Sequence, residues 1–377
     1  MLDIQNQAFL KGTAMLKWTK RIGLSLICLM AVLLLSGAAY QFISTKIDES
    51  AYPHPGKLVD VGGYRLHINC SGEGRATTVF DAGMGGSSLE WALVQPEVSK
   101  FARACSYDRA GNGWSDESPL ERTSENIVDE LHTLLKNAKV PGPYILVGHS
   151  FGGSNVLLYA NRYPDEVAGI VLVDSAHEDY LDKMPAMPEQ NESMALLLTY
   201  VGGTRLMYAH LPIYKKQLEA FSDEIKEVYL AKLSTNNFIK TVFKQTAMLD
   251  KSLKQLKATG AKLGDKPLIV ITAGKKMNAE EVGLSEEQVD QIAKVWNDLQ
   301  KDLVTKSING KQIFAEHSGH MITREQPAII VEAIREVIRK VEMDSFRSDE
   351  ATLFPPTLSM QILKLEETII YKKSGQL

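Results

Sequence analysis

The chain has 377 residues, 44% hydrophobic and 23% charged, with a formal net charge of −4 and three cysteines, which suits one large globular domain or two small ones. The charge is uneven: Lys11, Lys17, Lys20 and Arg21 against Asp3 give residues 1–44 a net +3, leaving −7 on the remainder. A mildly acidic body with no basic patch and no aromatic–basic interleaving speaks against nucleic acid as a partner.

From Ile22 to Tyr40 the chain runs 19 residues without a charge, ~28 Å as a helix and so about one hydrocarbon core. Trp18, Lys17, Lys20 and Arg21 flank its start, so the positive-inside rule makes 1–21 a cytoplasmic leader, 22–40 a transmembrane anchor and the rest extracytoplasmic. A cleaved signal peptide, with Ser36-Gly37-Ala38 as the small-residue site and a secreted body, is the rival reading. The leader of 21 residues ahead of the apolar run is long for that. Cys28 lies within the run, as a lipid-facing or packing residue.

Residues 41–56 read as a linker closed by Pro53, Pro55 and Gly56. Strands are expected at 57–61 and 65–70 around the Gly62-Gly63 turn, then at 77–81 and 102–107. The third of these leads into Ala82-Gly83-Met84-Gly85-Gly86-Ser87 and the fourth into Asp108-Arg109-Ala110-Gly111-Asn112-Gly113-Trp114-Ser115. Residues 123–139 have helical periodicity with Ser124 as a cap. Further apolar strands are expected at 144–147, 167–174, 268–273 and 312–315, and a final helix at 325–341 with Pro327 in its first turn. Strands that are apolar on both faces and alternate with helices indicate an α/β fold, a mostly parallel sheet flanked by helices. Residues 175–264, rich in Met, Leu, Tyr and Lys with a helical run at 221–233, are too long for a connection and read as a helical cap. That divides the body into a core of 57–174 and 265–342, with a C-terminal extension at 343–377 whose 358–371 stretch is weakly amphipathic.

The most informative stretch is Gly148-His149-Ser150-Phe151-Gly152, which follows an apolar strand and precedes a helical pattern at 154–162. Strand, sharp turn and helix with a serine at the apex is the setting of a nucleophile elbow, and the small neighbours let the helix close on the strand. A serine hydroxyl needs a base and a third group to orient it. The late histidines are His317 and His320; His320, after a glycine and before the final helix, is the preferred base.

Ser150 in its elbow, the loop from Tyr107 to Ser115 and Ser318-Gly319-His320 resemble the α/β-hydrolase family, in its lid-bearing esterase, peptidase and epoxide-hydrolase-like branch, over residues 57–342. The resemblance implies an eight-stranded sheet, a lid between the sixth and seventh strands, and a triad in the order nucleophile, acid, base. It implies an oxyanion hole from the N–H of Phe151 and that of Met84, where relatives often carry His-Gly and this chain has Ala82-Gly83. The usual acid position beyond the seventh strand offers no carboxylate before Glu280. A second position known in this fold, the end of the sixth strand, holds Asp174, the preferred acid. Glu280, Glu281 and a relaxed dyad are the alternatives.

In that topology the second and fourth strands are antiparallel neighbours, which brings Cys70 and Cys105 opposite each other as a possible disulfide or as two buried thiols. Asp108 and Arg109 are read as braces for the loop that borders the pocket, with a substrate contact as the alternative, and Trp91 and Trp114 as packing residues, with the pocket entrance as the alternative. The expected activity is hydrolysis of a carboxylic ester, or less readily an amide, of a small molecule through an acyl-enzyme. The sequence displays no metal-ligand spacing or phosphate loop, and no cofactor is expected. Serine in place of the aspartate that the family uses for epoxides and haloalkanes directs the chemistry to acyl transfer. Cofactor-free perhydrolase chemistry and an inactive binding module are the alternatives.

Overall fold

The computed structural model describes residues 2–185, 191–211 and 216–353. It divides into two compact units: a helical unit, Met1–Pro53 with Glu189–Lys240, and a sheet unit, His54–Pro188 with Thr241–Leu377. The strands are β1 (Lys57–Asp60), β2 (Arg65–Ser71), β3 (Thr77–Asp81), β4 (Arg103–Tyr107), β5 (Tyr144–His149), β6 (Val167–Val173), β7 (Leu268–Ala273) and β8 (Gly310–Ala315). The longer helices are α1 (Leu2–Ala51), α2 (Ser124–Asn137), α3 (Phe151–Arg162), α4 (Glu192–Tyr200), α5 (Gly203–His210), α6 (Asp223–Leu233), α7 (Asn236–Ala247), α8 (Leu249–Thr259), α9 (Glu286–Val304) and α10 (Pro327–Leu353).

The eight strands form one sheet in the order β1-β2-β4-β3-β5-β6-β7-β8. β2 is antiparallel to both neighbours and the pairings from β4 to β8 are parallel. The pleat explains why the central strands are apolar throughout, because alternate residues enter opposite layers. Leu146, Ile170, Leu172, Leu268 and Val270 pack with α2, α3 and α8 residues such as Leu131, Leu157 and Leu256. Their neighbours Ile145, Val147, Val171, Val173, Ile269 and Ile271 join Ile330, Ile334 and Val337 of α10 on the other face. Burying a Leu or Ile side chain is worth roughly 1.5–3 kcal/mol, so the sheet's register is held from both sides.

Four features differ from the sequence reading. Residues 41–51, read as linker, continue α1 to Ala51; the chain has no glycine or proline from Gln41 until Pro53 to stop the helix. The cap of α2 is Thr123, not Ser124: Thr123 has extended backbone and its hydroxyl accepts from the Asn126 N–H, while Ser124 is buried and donates its hydroxyl to Asn155. The segment 175–264 is helical, but its end at α8 packs on α2 and α3 through Leu253 and Leu256 and belongs with the sheet unit. The last helix runs twelve residues beyond Val341 to Leu353, and the 358–371 stretch lies outside the described residues.

Cys70 and Cys105 are register partners on β2 and β4. Their Sγ atoms are 2.06 Å apart as a disulfide, and 35 positions separate them in the chain. In the chain-entropy account a closed loop of that length removes about 4 kcal/mol of freedom from the unfolded chain. Alkylating the denatured protein before and after reduction should therefore add two labels only after reduction, and reductant should lower the denaturation midpoint. Two labels at Cys70 and Cys105 without reductant would show free thiols.

Candidate active site

The sheet's parallel strands end at one edge, and ligands of open parallel sheets gather at such carboxyl ends. Ser150 follows β5 there, with φ 51° and ψ −122°, a backbone region that L-residues avoid at a cost on the order of 1–3 kcal/mol. The turn is held by hydrogen bonds from Ser150 N–H to the Val173 carbonyl (3.1 Å) and from Gly153 and Ala176 N–H to the Ser150 carbonyl (both 3.0 Å). It also requires contacts that only glycine permits. A Cβ at Gly148 would lie 2.5 Å from the Gly152 carbonyl oxygen, and one at Gly152 would lie 2.3 Å from that of Asp81.

Asp174 follows β6 and is also turned to positive φ, 41°, anchored by its N–H to the Ile271 carbonyl at 2.7 Å. Its carboxylate is almost fully buried and has three donors. Oδ1 accepts from the Ala273 N–H (3.0 Å) and the Trp296 indole N–H (2.9 Å), and Oδ2 lies 2.6 Å from Nδ1 of His320. Burial pushes the Asp174 carboxyl up, but the hydrogen bond and charge of His320, with the two N–H donors, overcome that and hold it below the usual range. A carboxylate there places the proton of neutral His320 on Nδ1 and leaves Nε2 as the basic nitrogen. Trp296 meets the His320 ring edge-on at 6.0 Å.

The other candidates lie apart. Glu280 is exposed, and the Glu281 side chain lies outside the described residues. His317 is exposed, with its backbone N–H on Gln326.

The loop after β3 lies beside Ser150: a Cβ at Gly83 would be 3.5 Å from its Cβ. It is braced by charge. The buried Arg109 guanidinium bonds the Asp81 carboxylate, the Ala82 carbonyl and the Gly83 carbonyl. Asp108 accepts from Ser88 N–H (2.6 Å), Trp114 N–H (3.0 Å) and His67 (2.8 Å). Within this frame Met84 packs with Ile127, Phe151, Leu249 and Leu253. Gly85 N–H donates to Gln245 of α7 at 3.3 Å, and Phe151 opens α3, where N–H groups have no intrahelical acceptor. Trp91 is buried against Phe80, and Trp114 packs on His67.

A buried pair, which sequence reasoning did not single out, supports the His320 loop. Nδ1 of His149 lies 2.7 Å from Glu90, and its Nε2 lies 2.9 Å from the His320 carbonyl oxygen; the two histidine rings are 4.7 Å apart. Both partners are acceptors, so both ring nitrogens donate and His149 is an imidazolium facing a carboxylate. Glu90 also accepts the Gly83 N–H, and so links the loop after β3 to the His320 loop. Burial pushes the His149 imidazole down, but Glu90 and the His320 carbonyl more than offset it and the group is raised. Burial pushes Glu90 up, and the His149 charge and hydrogen bond bring it below its ordinary value. His177, Glu178 and Asp302 are close enough to share an ion, but the Lys306 ammonium already sits on both carboxylates.

A sequence model described as alpha/beta hydrolase fold matches residues 79–265. The chain has the α/β-hydrolase fold. It is 27% identical over 282 residues to an uncharacterized Bacillus subtilis protein, YqjL, covering 74% of this chain and 91% of that one. Among solved structures, a mutant epoxide hydrolase of Vigna radiata superposes with a TM-score of 0.59 at 19% identity, covering 75% of this chain and 98% of the other. A thermophilic esterase from Thermogutta terrifontis gives 0.54 at 19%, covering 76% and 98%. At these identities the two structures establish the fold alone.

The Glu90–His149 pair gives this hydrolase fold a pH signature. The raised His149 stabilises fully below its unfolded value near 6.5 and loses that contribution as pH rises through the folded one. The lowered Glu90 stabilises fully above its unfolded value near 4.5 and loses it as pH falls through the folded one. The pair is therefore complete between about 4.5 and 6.5. Glu90→Gln should cost about 3–5 kcal/mol where it strands the imidazolium, with a larger drop in melting temperature at pH 5.5 than at 8.5. Equal drops at both would mean that the pair is not ionised.

Proposed function

We propose that this chain is a membrane-anchored serine hydrolase that cleaves a carboxylic ester, or less readily an amide, of a small molecule outside the cytoplasm. The observation that carries the reading is the 2.6 Å contact between Asp174 and His320 at the strand edge that holds Ser150 in its strained turn. In the first half-reaction Nε2 of His320 takes the proton of the Ser150 hydroxyl as its oxygen bonds the substrate carbonyl carbon. Asp174 holds the resulting imidazolium, and the N–H groups of Met84 and Phe151 receive the charge on the carbonyl oxygen. His320 returns the proton to the leaving alcohol or amine, and Ser150 is left acylated. In the second half-reaction His320 deprotonates water, which releases the acid and restores the serine.

An apolar acyl group is the favoured substrate part, because Met84 and Phe151 sit in a cluster with Ile127, Leu249 and Leu253. The anchor is the uncharged stretch of α1: 17–51 holds a window with mean hydropathy 2.4, none of it buried. A disulfide between Cys70 and Cys105 suits an oxidising exterior.

Full-length protein should be labelled by a fluorophosphonate probe and hydrolyse p-nitrophenyl esters. Ser150→Ala should abolish both. Asp174→Asn should lower kcat by a factor on the order of 10⁴, while Glu280→Gln should leave it within about twofold. Wild-type protein that neither labels nor hydrolyses would refute the enzyme reading, and a larger loss with Glu280→Gln would move the acid.

A further inference from the structure

Within the helical unit, α1 is joined to the other helices along one stripe. Gly37 lies against the turn between α4 and α5, where a Cβ would come 2.6 Å from the Val201 carbonyl oxygen. Gln41 is buried and donates through Nε2 to the Ser234 carbonyl at 2.7 Å. Asp48 accepts from Arg205 at 2.6 Å, and Tyr52 donates its hydroxyl to Glu227 at 3.2 Å. Positions 37, 41 and 48 share one face of α1, and Tyr52, one residue past its end with its N–H on the Asp48 carbonyl, continues that face.

The first contact falls inside the uncharged run. Gly37 precedes Tyr40 by three residues, about 4.5 Å along a helix, so a span that fills the hydrocarbon core carries the α4–α5 turn to the edge of that core. Gly202 in the turn has φ 73°, and a side chain there would meet the Tyr40 ring. From this point α4 and α5 expose large apolar side chains: Met194, Leu197, Leu198, Leu206 and Met207 are 38–54% accessible. Tyr200 is 45% accessible, an aromatic of the type that settles at bilayer interfaces. Between Glu192 and His210 the charged residues are Glu192 and Arg205, and Arg205 is neutralised by Asp48.

We infer that the α4–α5 hairpin is a bilayer-binding surface whose apolar side chains lie in the headgroup–acyl boundary of the outer leaflet, beside the span. Continuity with α1 selects a phospholipid surface as the occupant. The exposed apolar side chains of the run, Leu35 at 72% among them, lead directly to the turn that Gly37 touches. The inference rests on the anchor part of the proposed function and is independent of the chemistry at Ser150.

The test uses full-length protein in phosphatidylcholine vesicles. Cys28, the one free thiol, is changed in C28S, and single cysteines from L33C, L197C, L206C and E49C are labelled with an environment-sensitive fluorophore. Brominated phosphatidylcholine should quench the probes at 33, 197 and 206 at least twofold and leave 49, exposed on α1 nine residues past Tyr40, unchanged. Quenching at 33 with none at 197 and 206 would overturn the surface and leave the anchor standing. Loss of quenching at 33 as well would remove both. A blue-shifted but unquenched probe at 197 or 206 would mean that protein covers the face, a second copy being the simplest case, and would equally overturn the inference.

Discussion

The backbone at the end of β5 has to reverse at Ser150 through a conformation that side chains resist. The cost, on the order of 1–3 kcal/mol, is met by packing elsewhere. β5 is buried on both faces, its parallel neighbours fix its register, and three backbone hydrogen bonds hold the turn. The same constraint sets the local composition, since the closeness of α3 to β3 and β5 leaves no space for a Cβ at Gly148 or Gly152. Asp174, at positive φ on the adjacent strand end, is a second residue in the same predicament. Both are fixed by the sheet, so their spacing is a property of strand register rather than of loop conformation.

Around that edge the protein uses buried ions as fasteners. Arg109 draws the carbonyls of Ala82 and Gly83 toward Asp81, Asp108 gathers donors from the next loop, and Glu90 joins the loop after β3 to His149. Ions removed from water are costly unless fully paired. The arrangement therefore tolerates little displacement, a property that the proposed acyl transfer would require where an oxyanion develops.

The elements that dictate their own local chemistry were legible in the sequence. Apolar runs marked the strands, and a serine between glycines after one of them marked the elbow. What depends on distant partners was not. The sequence left Asp174 and Glu280 both open as acids, and the pairing with His320 bridges 146 positions. Glu90 is an ordinary acidic residue in a short turn until the fold brings it to His149, 59 positions away. The docking stripe on α1 was missed for a related reason. Gly37, Gln41, Asp48 and Tyr52 have no chemistry in common, and only the helix period connects them.

The disulfide has a topological consequence. It closes residues 70–105 into a covalent ring, and that ring encloses β3, the Gly83-Met84 loop and Glu90. A protease that cut the backbone once within the ring would leave two polypeptides still joined, with the severed loop tethered at both ends to adjacent strands. Such a nicked molecule would stay one covalent species until reduced, and the two pieces of the Gly83-Met84 loop could not diffuse away from Ser150.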